Sequence, residues 1–262
     1  MANEIRRLAL KMVYHAKASH IGGALSMADI LAVLYNEVLR VDPMNPNNSD
    51  RDRFLLSKGH ACTGLYAVLA LKGYFPIEDL SNYAKDGSLL ISHTNHLVPG
   101  VEFSAGSLGH GLPVSTGLAL AAKRKKTTWK TYCLVSDGEL DEGSNWESIL
   151  LAPQLKLDNL ILIVDYNKIQ SLGSVKDVID LNPLPEKFSA FRWDTFEVDG
   201  HDHQALKSVF NKTHKLNSKP KVIIAHTVKG KGVSFMEDKL LWHYKSPSDD
   251  QLIAAIKELD EK

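Results

Sequence analysis

Two polar residues, Asp137 and Asn167, each follow a short apolar run of the sequence. The runs cover residues 131–136 and 159–166, and the segment between them, 142–157, has a helical pattern. This order predicts a βαβ unit, in which two parallel strands end at the same edge of a sheet. Asp137 and Asn167 are therefore expected to face one point. A carboxylate, an amide oxygen and a backbone carbonyl there would suit Mg²⁺, or Ca²⁺.

A simpler interpretation of these residues stays open at this point. Asp137 would only cap the helix that follows it, and Asn167 would only turn the chain. The acidic run Asp137, Glu139, Asp141 and Glu142 agrees with either interpretation, because acidic residues also favour the first turn of a helix.

The surrounding elements predict an α/β fold with a mostly parallel sheet covered by helices on both faces. Continuous apolar runs at 131–136, 159–166 and 221–228 indicate central strands, and residues 51–60 indicate a shorter one. Helical periodicity appears at 3–18, at 27–38 with Ser26 as the expected N-cap, at 61–74 with a stop near Gly73, and at 246–262. Residues 1–262 are expected to form a single domain.

Composition excludes several classes of partner. Lys+Arg and Asp+Glu balance at 31 each, so no overall field favours nucleic acid or an anionic membrane. The N-terminus lacks a signal-peptide pattern and no segment approaches 18 uninterrupted apolar residues, which predicts a soluble cytoplasmic protein. Cys62 and Cys133 are not spaced for a thiolate metal site.

Six segments occur in the order ASHIGGALS, SKGH, ISHTNH, AGSLGHG, the Asp137-Gly138 to Asn167 motif, and HTVKGKGVSFMEDKLLWH. Together these segments resemble those of transketolase. The motif resembles the one that binds thiamine diphosphate, and the resemblance covers nearly the whole chain. It implies the three-layer, diphosphate-binding domain that forms the N-terminal part of transketolase.

The resemblance also implies roles for individual residues. Asp137 and Asn167 would bind the metal through side chains and Ile169 through its carbonyl. His20, His93 and His243 would surround the reacting sugar as catalytic residues. The cofactor-binding residues would be His60, Gly106, Ser107, Leu108, Gly138, Glu139, Asn167, Lys229 and His243. Glu142 and Glu147 would link two cofactor sites of a dimer through a proton network.

The implied reaction is transfer of a two-carbon ketol unit from a ketose to an aldose. Histidines fit this chemistry because their ordinary pKa lies near neutral pH. The family's pyrimidine-binding and C-terminal domains are missing from the chain. We therefore expect a split enzyme, inactive alone, in which a separate subunit supplies them and two such pairs form a heterotetramer.

The sequence departs from the family pattern in three places. Ser136 replaces the first motif glycine, His110 replaces a common glutamine, and Thr94-Asn95 replaces Pro-Glu beside His93. His110 and Thr94-Asn95 are expected close to the substrate entrance, and they suggest a sugar other than the ordinary pentose phosphates. A polysaccharide or secondary pathway would be compatible with it. Other interpretations are a subunit of a 1-deoxyxylulose-phosphate synthase-like or 2-oxoacid dehydrogenase-like enzyme, and a cofactor-binding regulatory subunit without activity.

Overall fold

A five-stranded parallel sheet forms the centre of the molecule. The computed structural model describes residues 1–261, and its strands lie in the order β1-β2-β3-β5-β4, with every neighbouring pair parallel. The strands are β1 (Arg53–Leu56), β2 (Thr131–Ser136), β3 (Leu160–Tyr166), β4 (Asp194–Asp199) and β5 (Lys221–His226). All their carboxyl ends therefore meet at one edge of the sheet.

Helices connect and cover these strands. The α-helices are α1 (Ala2–Ala16), α2 (Ile21–Ser26), α3 (Ala28–Val33), α4 (Cys62–Leu71), α5 (Gly111–Lys125), α6 (Gly143–Gln154), α7 (Val175–Val178), α8 (Leu184–Ala190), α9 (His203–Thr213) and α10 (Asp249–Asp260). Short 3₁₀ turns occur at Gly59–Ala61, Ile77–Asn82, Gly138–Asp141 and Leu240–His243, and a π-helical turn at Leu34–Val38. No helix within residues 1–261 is long and apolar enough to cross a membrane.

Alternate residues of the central strands pack into two different cores. In β2, Tyr132 and Leu134 join the core that also contains α3, α4 and α9. Cys133 and Val135 join the core on the opposite face, built with α5, α6 and α8. This arrangement explains the continuous hydrophobicity of the run, because both faces of the strand are buried. The predicted three-layer fold is confirmed.

Most of the predicted elements occur close to their expected positions, but two details differ. Ser26 is the last residue of α2 and not an N-cap, and its hydroxyl donates to Gly23 O and to the carboxylate of Asp165. The strand β4 does not appear among the predicted strands. It lies at the sheet edge and only Val198 in it is fully buried, so its sequence lacks a continuous apolar run.

Candidate active site

A cavity of about 460 Å³ opens at the carboxyl end of the sheet. It collects side chains from segments that are far apart in the sequence. Of the predicted site residues, its lining includes His20, His60, His93, Leu108, Asp137, Gly138, Glu142, Asn167, Ile169, Lys229 and His243. The predicted convergence of Asp137 and Asn167 follows from the register of β2 and β3, which run parallel and end side by side.

Three oxygen donors of the kind that Mg²⁺ prefers line this cavity, namely the Asp137 carboxylate, the Asn167 amide oxygen and the backbone carbonyl of Ile169. The Asp137 carboxylate accepts hydrogen bonds from the backbone N–H groups of Gly138 at 2.7 Å and Lys168 at 2.6 Å. Asn167 Oδ1 accepts from Ile169 N at 3.1 Å. The bonds fix the direction of both side chains, while each oxygen keeps a lone pair for a cation. This donor set fits a hard divalent cation.

The simpler interpretation, in which Asp137 only caps the turn that follows it, also agrees in part with the structure. Its side chain does accept the N–H of Gly138 at the start of a 3₁₀ turn, as a capping residue would. Capping alone, however, does not explain the pKa of Asp137. Burial and the neighbouring carboxylate of Asp165 raise the pKa of Asp137 to about 6. A carboxylate placed where its charge is disfavoured is typical of a binding site.

Lys229 provides a positive charge close to these oxygens. Its Nζ donates to Ile169 O at 2.8 Å and lies 3.1 Å from Nδ1 of His243. Burial lowers the pKa of Lys229 to about 8, although the charge of Asp137 opposes this shift. The ammonium group is therefore charged at neutral pH and can attract an anion such as a diphosphate.

Four histidines form a cluster against the same cavity. The ring of His20 lies 5.0 Å from the rings of His60 and of His243, and 6.2 Å from that of His93, measured between centroids. The ring centroids of His60 and His243 are 5.7 Å apart. The backbone N–H of His20 donates to His243 O at 2.8 Å, which joins two segments from opposite ends of the chain at this point.

The environment keeps these imidazoles neutral near physiological pH. Burial, helped by the charges of His93 and Lys229, lowers the pKa of His20 to about 4. Burial and Lys229 lower the pKa of His243 to about 3. Burial also lowers the pKa of His60, far below its usual range, and that of His93. Each ring can therefore accept a proton and, through its N–H, donate one.

Three predicted cofactor-binding residues lie outside the cavity lining. Glu139 is fully buried beside it, and its carboxylate accepts from Ser57 Oγ and from Gly109 N. Gly106 and Ser107 are exposed on the adjoining loop, and of that segment only Leu108 lines the cavity. Contact of these three residues with a cofactor stays a prediction. At Gly138 an added Cβ would lie 3.0 Å from Cγ of Gln170, a tight contact.

Glu142 and Glu147 are both exposed. Glu142 lies at the rim of the cavity, immediately before α6, and Glu147 lies within α6. Exposed apolar side chains accompany them on the same helix, Leu150 with 59% and Leu151 with 47% of its surface accessible. Neither glutamate is enclosed by its own chain, so a buried proton network through them would need a second chain.

Sequence reasoning missed the buried ion pair between Lys58 and Asp165. Its side chains are 1% and 0% exposed, and Lys58 lines the cavity two residues before His60. A signal was present, because Asp165 is the one charged residue in the apolar run that forms β3. Its partner, 107 positions away, could not be identified from the sequence.

The three departures from the family pattern have different surroundings. Ser136 lines the cavity, and its Oγ accepts from Glu139 N at 3.2 Å. Thr94 is buried, and its Oγ1 accepts from Ala105 N at 2.9 Å, which connects the loop of His93 to the loop that carries Leu108. His110 is exposed at the start of α5, where its Nδ1 lies 3.0 Å from Leu108 O.

Known proteins match this chain over nearly its whole length. Residues 1–259 match the model of the family "Transketolase, thiamine diphosphate binding domain". One of the relatives is a subunit of the apulose-4-phosphate transketolase of Phocaeicola vulgatus, 41% identical over 98% of this chain and 92% of its own length. Another is the 6-deoxy-6-sulfo-D-fructose transketolase subunit of a Clostridium species, 40% identical over 100% of this chain and 95% of its own.

Solved structures show the same relationship. The transketolase of Campylobacter jejuni superimposes with a TM-score of 0.93 and 34% identity. The match covers 99% of this chain but 42% of that protein, so the chain spans about two fifths of a transketolase of that length. The fold, the cavity and these matches show that the chain belongs to the transketolase family and corresponds to its thiamine diphosphate binding domain.

Proposed function

We propose that this chain is the N-terminal subunit of a split transketolase, which transfers a two-carbon ketol unit from a ketose to an aldose. The main support is the position of four neutral histidines directly beside a set of oxygen ligands in one cavity. Relatives of nearly the same length, which are themselves named as subunits of transketolases, support the two-chain organisation. The remaining domains, including the pyrimidine-binding one, would come from a partner subunit.

The chain would hold the cofactor at its diphosphate end. Asp137, Asn167 and the carbonyl of Ile169 would bind Mg²⁺, or Ca²⁺, and through it the diphosphate. His60 and Lys229 would contact the phosphate oxygens, and Leu108 would pack against the apolar part. Thiamine diphosphate supplies an electron sink for the two-carbon carbanion, which no side chain can provide.

The histidines would manage protons at the hydroxyl and carbonyl oxygens of the sugar. In His243, Nδ1 faces the Lys229 ammonium, which leaves Nε2 to exchange a proton with substrate. In His20, Nδ1 lies 2.9 Å from Ser19 Oγ, so Nε2 is again the atom for exchange. Their lowered pKa values keep both rings neutral at physiological pH. Because Nδ1 of His243 accepts from the Lys229 ammonium, the ring proton lies on Nε2, which would donate it to a sugar oxygen.

The exposed glutamates support a proposal about assembly. Glu142 and Glu147, with Leu150 and Leu151 on α6, would form part of a twofold contact that completes each site. Two copies of this chain and two partner subunits would then make a heterotetramer. In that assembly the two glutamates would become enclosed and could share the predicted proton network.

The substrate proposed is a sugar other than the ordinary pentose phosphates. Two relatives, at 41% and 40% identity, are named for apulose-4-phosphate and for 6-deoxy-6-sulfo-D-fructose. Thr94, which differs from the family pattern, is buried next to His93 and connects its loop to the loop that carries Leu108. Apulose-4-phosphate and 6-deoxy-6-sulfo-D-fructose are therefore the first donors to test.

Native mass spectrometry of the tagged chain, isolated from its own host with Mg²⁺ and thiamine diphosphate, tests the assembly. We expect a second subunit and bound cofactor, and the co-isolated complex should then transfer ketol units between sugars. A cofactor-free oligomer of this chain alone would contradict the two-chain site and favour the regulatory function. Pentose phosphates as the best substrates would contradict the proposed sugar class.

A further inference from the structure

The carboxylate of Asp165 lies at the end of β3, beneath the cavity, with no exposed surface. It accepts hydrogen bonds from the Lys58 ammonium, from Ser26 Oγ and from Thr227 Oγ1. It also lies 3.5 Å from Nδ2 of Asn167. Four donors thus converge on one buried carboxylate.

Each donor belongs to a segment that carries a residue of the site. Lys58 precedes His60 by two positions, and Thr227 precedes Lys229 by two. Ser26 ends the helix α2, which begins directly after His20, and Lys58 Nζ also donates to Gly23 O in that helix at 3.0 Å. A shift of Asp165 would therefore be transmitted to a histidine, a lysine and the proposed metal ligand.

Asp165 and the N–H of Ile169 together fix which way the Asn167 amide faces. An ionised carboxylate only accepts hydrogen bonds, so the atom of Asn167 directed at Asp165 must be the NH₂ group. The opposite end, Oδ1, then faces Ile169 N and the cavity. With the reverse orientation, an NH₂ group would point to the place where the cation needs an oxygen.

Stability does not by itself explain a fully buried ion pair at this position. The cost of removing both charges from water commonly offsets their attraction, so an apolar pair of similar size can be equally stable. What an apolar pair cannot provide is a common acceptor for several segments. We propose that Asp165 is a positioning residue that orients Asn167 toward the metal and holds the His20, His60 and Lys229 segments in place.

The proposal rests on the metal and diphosphate site put forward under the proposed function, and the test uses Mn²⁺ alone as the first probe. Two double variants of the full chain, in complex with its partner subunit, are compared by electron paramagnetic resonance. Both remove the buried charges. Lys58→Met with Asp165→Asn keeps an acceptor oxygen for Asn167, whereas Lys58→Met with Asp165→Val removes it.

We expect the Asp165→Val double variant to bind Mn²⁺ about 10- to 100-fold more weakly than the Asp165→Asn double variant, as is usual when a residue that orients a metal ligand is lost. Asp52→Asn serves as a control, because Asp52 is a buried carboxylate at the opposite end of the sheet. It should bind Mn²⁺ as the unaltered protein does, even where its thermal midpoint falls.

A second variant covers the case in which the Asp165→Val protein does not fold. Thr227→Val removes one donor to Asp165 without removing a charge, and we expect it to weaken thiamine diphosphate binding by several-fold while Mn²⁺ binding is kept. Equal Mn²⁺ affinity in both double variants, or unchanged cofactor binding in Thr227→Val, would overturn the positioning role alone. If the unaltered complex bound neither Mn²⁺ nor thiamine diphosphate, the proposed function would fail as well.

Discussion

The two ends of the sheet bury carboxylates in different ways. At the amino end, Asp52 accepts from Arg40 N and Lys130 N and pairs with the Arg40 guanidinium. Asp158 accepts from Ser218 N and pairs with Lys123. These bonds connect the segments that lead into the strands. At the carboxyl end, Asp137 lies against an open cavity and next to a second carboxylate.

The pKa values of Asp158 and Asp137 shift in opposite directions, in line with this difference between the two ends of the sheet. Burial would raise the pKa of Asp158, but the bond to Lys123 and the other partners outweigh it, so its pKa falls below the ordinary value. The pKa of Asp137 rises to about 6, because burial and Asp165 outweigh two backbone hydrogen bonds. A carboxylate with a lowered pKa stabilises the fold, whereas one with a raised pKa is kept at a cost. That cost indicates a function for Asp137.

The largest effect is expected at Asp137. Asp137→Asn removes the charge that would bind the metal while keeping the shape and an acceptor oxygen. Ketol transfer by the complex should fall at least about 1,000-fold, as expected when groups that position and polarise the reacting centre are lost. At pH 7 the thermal midpoint should change little, since removal of the disfavoured charge offsets the loss of one backbone hydrogen bond, from Gly138 N or Lys168 N. Steady-state kinetics and thermal unfolding test both expectations, and retained turnover would contradict the catalytic function.

The reverse result is expected at Asp52. Asp52→Asn places an NH₂ group among N–H donors and removes the pair with Arg40. Loss of a buried acceptor should lower the free energy of unfolding by about 1 to 3 kcal/mol. Well below the unfolding temperature, kcat/KM should stay unchanged. A large loss of kcat/KM with normal stability would show that the two ends of the sheet are not separate in role.

At the carboxyl end of the sheet, local sequence patterns were sufficient to predict the strands and the polar residues that follow them. β2 and β3 follow from continuous hydrophobicity, and the right-handed connection between them places Asp137 beside Asn167. The contacts of Asp165 with Lys58 and Thr227 join residues 107 and 62 positions apart, and no local pattern encodes them. Ser26 shows the same limit. Its residue type favours helix capping, but in the fold its hydroxyl donates to the carboxylate of Asp165.

A smaller effect on stability, which changes with pH, is expected from His60. Its pKa in the folded chain lies well below the ordinary value, so the unfolded chain binds this proton more readily. The stability that His60 contributes is therefore present above pH 6.5 and is lost as the pH falls toward its folded pKa. The raised pKa of Asp137 opposes this loss between about pH 4 and 6, because there the folded chain binds the Asp137 proton more readily.

His60→Gln isolates the histidine from that opposing contribution. Between pH 6.5 and 5 the free energy of unfolding of the unaltered chain should fall more steeply than that of the variant, by up to about 1.4 kcal/mol per pH unit for one proton. Urea unfolding at pH 7, 6 and 5 measures both slopes. Parallel curves would mean that His60 takes up its proton equally in the folded and unfolded chains.

The smallest effect is expected at His110, the departure that lies on the surface. His110 does not line the cavity, and its Nδ1 is directed at Leu108 O, a bond that a glutamine NH₂ can also donate. His110→Gln, which restores the residue common in the family, should therefore change kcat/KM for the natural sugar by less than about threefold, within about 0.7 kcal/mol.

Thr94, whose hydroxyl accepts from Ala105 N, is the internal comparison. Thr94→Val leaves that N–H without its acceptor next to His93, so it should alter the preference between sugars more than His110→Gln does. If His110→Gln by itself changed the preference between sugars, the surface of α5 and a partner subunit that contacts it would take part in selecting the sugar.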